Sequence, residues 1–180
     1  MSRSHQANRL NMQGLAQDGV PLIETTLLQN LERLAQETQG LQPDSAVQWQ
    51  ARGELRPHDG ADDEVWLHLQ AKALIPLTCQ RCMGVVFTPA EVNQWYRFVA
   101  SEDIAMAEDD QSEEDLLVMT PQFDLLAVLE DELLMALPLV PMHDSCPVAS
   151  ALQAGEADIA GDTGVKVNPF AVLAQLKKKN

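Results

Sequence analysis

The chain has 180 residues, with 12 Lys and Arg against 27 Asp and Glu, for a formal net charge of −15. That length suits one domain burying roughly 70% of its unfolded surface, and no apolar run approaches the ~20 residues of a membrane span. Three cysteines, two of them only two residues apart, argue against a secreted disulfide framework and for reduced thiols in the cytosol.

The N-terminus, Met1 to Arg9, is basic but leads into no apolar segment, so it is not read as a secretory signal. Leu27, Leu28, Leu31 and Leu34 then recur at helical spacing. They predict a short amphipathic helix stopped at Gly40, with the residues before it as a lead-in. From Val47 the period becomes two: Val47, Trp49, Ala51 and Leu55 alternate with Gln48, Gln50, Arg52 and Glu54. This predicts a strand with one wet face, and Gly53 reads as a bulge. A polar loop around His58 to Glu64 turns the chain back.

The return strand alternates again, with Val65, Leu67, Leu69, Ala71, Ala73, Ile75 and Leu77 on one face. Such a pattern belongs to an antiparallel sheet packed on one side. Cys79 to Gly84 reads as a tight turn, and Val85–Phe87 and Glu91–Val99 as further strand. Glu102 to Asp115 holds eight acids and few large apolar groups, which predicts a mobile loop. Leu116–Met119 reads as a short edge strand. A helix follows from Asp124, with Leu125, Val128, Leu129, Leu133 and Ala136 on its apolar stripe and Pro138 ending it. Residues 150–164, rich in Ala, Gly and Asp, suit a linker. Asn168 and Pro169 are a helix-start pair, Phe170, Leu173 and Leu176 its apolar stripe, and Lys177, Lys178 and Lys179 complement its negative end. The expected fold is α+β: an antiparallel meander, one packed amphipathic helix, an acidic loop and a partly flexible tail ending in a short helix. The expected division is one domain over 1–150, then a linker and terminal helix over 151–180.

Charge is unevenly placed. No Lys or Arg occurs from Phe98 through Val165, where sixteen of the 27 acids lie, whereas the last fifteen residues carry +4. Such a surface repels polyanions at long range and attracts cationic protein. Plain solubility is the rival explanation, because acidic runs are commonly solvated faces.

Two segments carry chemistry. Cys79-x-x-Cys82 lets both thiolates point at one ion, with Gly84 allowing the chain to fold back on the sulfurs, and His143-x-x-Cys146 would complete a Cys3His zinc set. The rival is buried, idle cysteine. A thioredoxin-like role is disfavoured because a strand, not a helix N-terminus, meets the first Cys. The chain has no G-x-S-x-G, no Gly-rich phosphate loop and no H-E-x-x-H, so no enzyme class or small-molecule substrate is indicated. Glu130, Asp131 and Glu132 read as a solvated helix face, and His58 and His68 as surface histidines. Trp49, Trp66 and Trp95 read as core or cross-strand packing; a base-stacking platform would need neighbouring cations. The Asn168, Pro169, Phe170, Leu173 and Lys177–Lys179 segment reads either as docking on its own domain or as a partner-binding helix.

Leu77-Thr78-Cys79-Gln80-Arg81-Cys82, the run Val128 to Pro138 with Val140 to Asp144, and Asn168 to Lys177, in that order, resemble the bacterial YceD family. Its members are known as large ribosomal RNA subunit accumulation proteins. The resemblance implies a cytoplasmic, non-enzymatic role in synthesis, processing or stability of 23S rRNA. Taken with the charge, it implies ribosomal proteins or the pre-large-subunit particle as partners, with rRNA reached indirectly. The alternative is direct RNA binding through the cysteine turn and Lys-rich tail.

Overall fold

The computed structural model describes residues 6–58 and 62–147, all within the first of two units, Met1–Val148 and Ala149–Asn180. The expected tail helix, with Asn168, Pro169, Phe170, Leu173 and Lys177–Lys179, lies outside the described residues. Among the described residues, no helix is long and apolar enough to cross a membrane.

The alternating segments form one five-stranded sheet in chain order: β1 (Leu22–Leu27), β2 (Ala46–Arg56), β3 (Glu64–Thr78), β4 (Val85–Val99) and β5 (Asp115–Val118). The first four strands are an antiparallel meander, and β5 adds to β4 in parallel, Phe98 facing Leu117. The class is α+β, with a mixed sheet. Strand β4 runs unbroken through Pro89, whose partner on β3 is Leu74.

Period-two alternation sends Val47, Trp49, Ala51, Val65, Leu67, Leu69, Val92, Tyr96 and Phe98 into the core. Helices cover that face. In α4 (Leu125–Met135) the Ala127 N–H donates to Asp124 Oδ1 at 3.1 Å, and Leu125, Leu129 and Leu133, one turn apart, are fully buried. This helix starts and stops where its cap and Pro138 predict.

Three of the predicted segments need correcting. The lead-in contains α1 (Met12–Asp18), N-capped by Asn11 through the Gly14 N–H at 2.8 Å and closed by Gly19 in the left-handed region. The predicted Leu27–Leu34 helix is split: β1 takes Leu27, a 3-10 turn spans Leu28–Asn30, and α2 (Glu32–Glu37) follows. Leu28 and Leu34 are nonetheless both fully buried, so the apolar spacing reported burial rather than one helix. The acidic stretch is ordered as α3 (Glu102–Glu108), a 3-10 turn over Asp109–Gln111, and β5. Glu102 and Asp103 complement the positive end of α3, and the Ile104 N–H donates to Ser101 Oγ at 3.4 Å. Arg97, one residue outside the cation-free stretch, binds Glu108 at 2.8 Å and Glu114 at 3.2 Å.

Gly53 is not a bulge, since it pairs in register with Leu67. It is where α1 crosses the sheet: a Cβ there would stand 2.6 Å from the Ala16 nitrogen and 2.7 Å from its Cα. Only glycine admits that backbone-to-backbone approach.

Candidate metal centre

Strand β3 carries Cys79 to the rim of the core, where it is fully buried. The chain then reverses within five residues: the Met83 N–H donates to Cys79 O and the Cys79 N–H to Gly84 O, both at 2.9 Å. The residue in the left-handed region is Met83, at φ 59°, and not Gly84, where the sequence placed the turn. A bulky residue in that region costs energy, and the two backbone bonds of the turn hold it there.

The second half arrives from α4. After Pro138 the chain runs along the cysteine turn, where the Gln80 N–H donates to Pro141 O at 2.9 Å. This anchors the loop that presents His143 and Cys146. The Cys79 and Cys146 sulfurs are 3.9 Å apart, and Cys82 Sγ lies 3.5 Å from His143 Nδ1. All four ligand atoms lie within 4.8 Å of one another.

These lengths test the fit. Tetrahedral zinc with Zn–S near 2.3 Å and Zn–N near 2.05 Å implies about 3.8 Å between two sulfurs and about 3.6 Å between sulfur and nitrogen. The Cys79–Cys146 and Cys82–His143 separations fall on those edges. The histidine is also set for ligation: Nε2 lies 2.9 Å from Val85 O. A carbonyl only accepts, so Nε2 carries the proton and Nδ1 turns its lone pair toward the sulfurs, the orientation that outer hydrogen bonds impose on metal-binding imidazoles.

The thiols are electrostatically unequal. Burial would raise Cys79, but backbone N–H groups of Cys82, His143 and Arg81, with the His143 side chain, outweigh it and bring it down to about 5. Burial, followed by hydrogen bonding with Cys82 and Cys79, pushes Cys146 up to about 11. Between these two, negative charge therefore favours Cys79, the deepest of the four. A set of four protein ligands leaves no open position for substrate or water, which is the pattern of a structural rather than a catalytic site.

Other sequence-level readings fare differently. Glu130 is buried, not solvated, and serves α2. Its neighbour Asp131 is exposed and pairs with Arg33. Trp49 is core, its Nε1–H donating to Thr26 Oγ1 at 2.9 Å. Trp66 and Trp95 make an edge-on cross-strand pair on the outer sheet face, with centroids 6.4 Å apart. His68 stacks on Trp95 at 4.2 Å. The sequence reading missed the cation beside them: the Arg56 guanidinium lies 3.9 Å from the Trp66 ring centroid and 4.4 Å from that of Trp95. Its signal was present, because Arg56, Trp66 and Trp95 all fall on polar-face positions of the alternation.

Fold and centre together define an α+β protein whose cysteine turn is latched to a His-Cys loop by residues able to share one ion. The family described as Large ribosomal RNA subunit accumulation protein YceD matches residues 67–177, from the return strand past the His-Cys loop, and the chain belongs to that family. It is 40% identical over 110 residues to the Large ribosomal RNA subunit accumulation protein YceD of Haemophilus influenzae, over 58% of this chain and 61% of that relative. The chain thus aligns with about three-fifths of the relative's length. No solved structure matches it.

Proposed function

We propose that this protein is a cytoplasmic, non-enzymatic ribosome-biogenesis factor that supports synthesis, processing or stability of 23S rRNA in the large subunit. The relative of that name and the family both point to large-subunit rRNA accumulation. In this reading residues 1–150 are the working domain. The segment with Phe170, Leu173 and the lysines at 177–179, outside the described residues, is the part that seeks the partner. Zinc held by Cys79, Cys82, His143 and Cys146 locks the turn to the loop after α4. What zinc supplies is rigidity; the His143 Nε2–H bond to Val85 sets the ring that would hold it.

The observation that carries the choice of partner is the segregation of charge. Arg97 engages Glu108 and Glu114, while Asp109, Asp110, Glu113 and Asp115 remain exposed. A flank of that sign meets basic ribosomal proteins favourably, with steering that weakens with salt, and meets duplex RNA unfavourably. The anchoring contact is therefore protein, with rRNA held largely through it.

The test is capture of the full chain from cells with and without ribonuclease. Large-subunit ribosomal proteins retained after complete RNA digestion are the expected result. Loss of every ribosomal protein on digestion, with tight binding of a naked 23S transcript at physiological salt, would overturn the reading in favour of direct RNA binding through the cysteine turn and tail.

A further inference from the structure

The outer face of the sheet has chemistry unlike the rest of the described surface. Four of the seven Lys and Arg among the described residues project from it, namely Arg52, Arg56, Lys72 and Arg97. On the same rows stand Glu54, Glu64 and Glu91, and Glu108 and Glu114 reach Arg97 from beside the sheet. A protein at −15 overall thus keeps one face near neutrality and concentrates its cations there. The helices α1 and α4 pack on the opposite face, and α3 reaches this one at its Arg97 corner.

Register sets the pattern. Arg52, His68 and Trp95 form one cross-strand row, and Glu54, Trp66 and Arg97 the next. Both indoles are partly exposed, with Arg56 resting on them and His68 lying flat on Trp95, 2° from parallel. The adjoining row is an amide ladder: Gln50 donates to Gln70, and Gln70 Nε2–H donates to Asn93 Oδ1 at 2.9 Å. Each of these amides has donor and acceptor capacity beyond the ladder. Beside them lies a trough of about 530 Å3, bounded by Ile23 and Thr25 of β1, reaching Lys72 and Asn93, and lined also by Glu24 and Glu91.

We infer that this face is a stacking platform for unpaired RNA bases, in which a base takes the place that the Arg56 guanidinium holds over Trp66 and Trp95, with His68 backing Trp95 and Lys72 and Arg52 offering charge to the backbone. Three observations carry it: a flat, half-exposed imidazole–indole stack, polar amides in the next row, and cations segregated to this surface. Base-on-aromatic stacking tolerates any sequence and needs few phosphate contacts, so it suits a protein whose net charge discourages duplex RNA. Lys72 and Arg52 are 74% and 57% exposed and paired only at the surface with Glu91 and Glu54. Exposed pairs of this kind are weak, so both cations can turn to phosphate. The contact is short-range and additional to the acidic flank; it stands on its own geometry. Only the choice of RNA over single-stranded DNA rests on the large-subunit reading above.

The experiment is tryptophan fluorescence of the full chain titrated at low salt with oligo(A) and oligo(U) ribonucleotides of about ten residues. The same strand as DNA, an RNA duplex and a basic ribosomal protein are the comparison arms. Saturable quenching by the single-stranded RNA, and little by the duplex, is expected. Trp95→Ala should weaken it about 5- to 150-fold, Trp95→Phe should retain most of it, and Lys72→Ala should flatten the salt dependence by about one counterion. Circular dichroism confirms folding, and Lys72→Ala decides if the Trp95→Ala chain does not fold. No quenching, equal binding of duplex, or affinity unchanged in Trp95→Ala and Lys72→Ala overturns the platform. Protection of these tryptophans by the basic protein but not by RNA makes it a protein-docking face. Equal affinity for DNA removes the RNA assignment. None of these results bears on whether ribosomal proteins survive ribonuclease in the capture experiment.

Discussion

Glu130 on α4 closes the start of α2 by accepting from Arg33: the Arg33 backbone N–H reaches Oε1 at 2.7 Å and its Nε–H reaches Oε2 at 3.0 Å. The Leu34 N–H adds a third bond to Oε1 at 3.1 Å. Because the N-cap of α2 is Leu31, which offers no side-chain cap, a carboxylate nearly one hundred residues away does the work that Ser or Asp does locally elsewhere. The bond ties the N-terminal third of the domain to the helix that leads into the cysteine loop.

Removing that tie should be costly. Glu130→Ala leaves two backbone donors and the Arg33 Nε–H without their acceptor, and we expect a loss of about 2–3 kcal/mol in urea unfolding. Asp131→Ala breaks only the exposed half of the Arg33 contact and should cost less than about 1 kcal/mol. Equal losses at the two positions would show that Glu130 is not the cap described.

Gly53→Ala is a sharper probe of the α1 crossing. A methyl group at 2.6 Å from backbone nitrogen cannot be absorbed by a rotamer change, so α1 must move off the sheet. The expected cost is about 1–3 kcal/mol, read as a lower unfolding midpoint with the slope unchanged. A variant within about 0.5 kcal/mol of the parent would mean the helix does not sit where described.

Arg97 should control order in the acidic stretch. Its guanidinium, only 15% exposed, binds Glu108, Glu114 and Glu64 together. Arg97→Ala should therefore raise amide exchange across residues 102–115 while leaving β2 and β3 protected. Exchange unchanged in α3 would assign its order to Ser101 and the neighbouring packing instead.

Metal content tests the candidate centre. Protein purified without chelator should carry one equivalent of zinc by elemental analysis, and Cys82→Ser or His143→Ala should lose it together with a substantial part of thermal stability. Val85 supplies a backbone carbonyl, so no side-chain change at Val85 removes the histidine's orienting bond. Protein that carries no zinc as purified, and whose melting temperature does not rise when zinc is added, would remove zinc from the account.

The alternation of apolar residues in 47–55 and 65–77, the Asp124 cap and the Pro138 stop were enough to locate β2, β3 and α4, because each is a local property of backbone and burial. The two Cys-containing pairs were legible as a ligand set for a similar reason: a two-residue gap brings both partners of a pair to one place. What sequence alone misjudged is what distant residues decide. Leu27–Leu34 became strand, turn and helix because β2 offers its edge to Leu22–Leu27 and Glu130 supplies a cap. Residues 102–115 became ordered because Arg97, held in β4, neutralises acids that would otherwise repel one another. The Arg56–Trp66–Trp95 cluster likewise exists only through cross-strand register. Pattern in this chain specifies which atoms leave water; the three-dimensional packing alone settles which charges and hydrogen-bond donors find one another once they do.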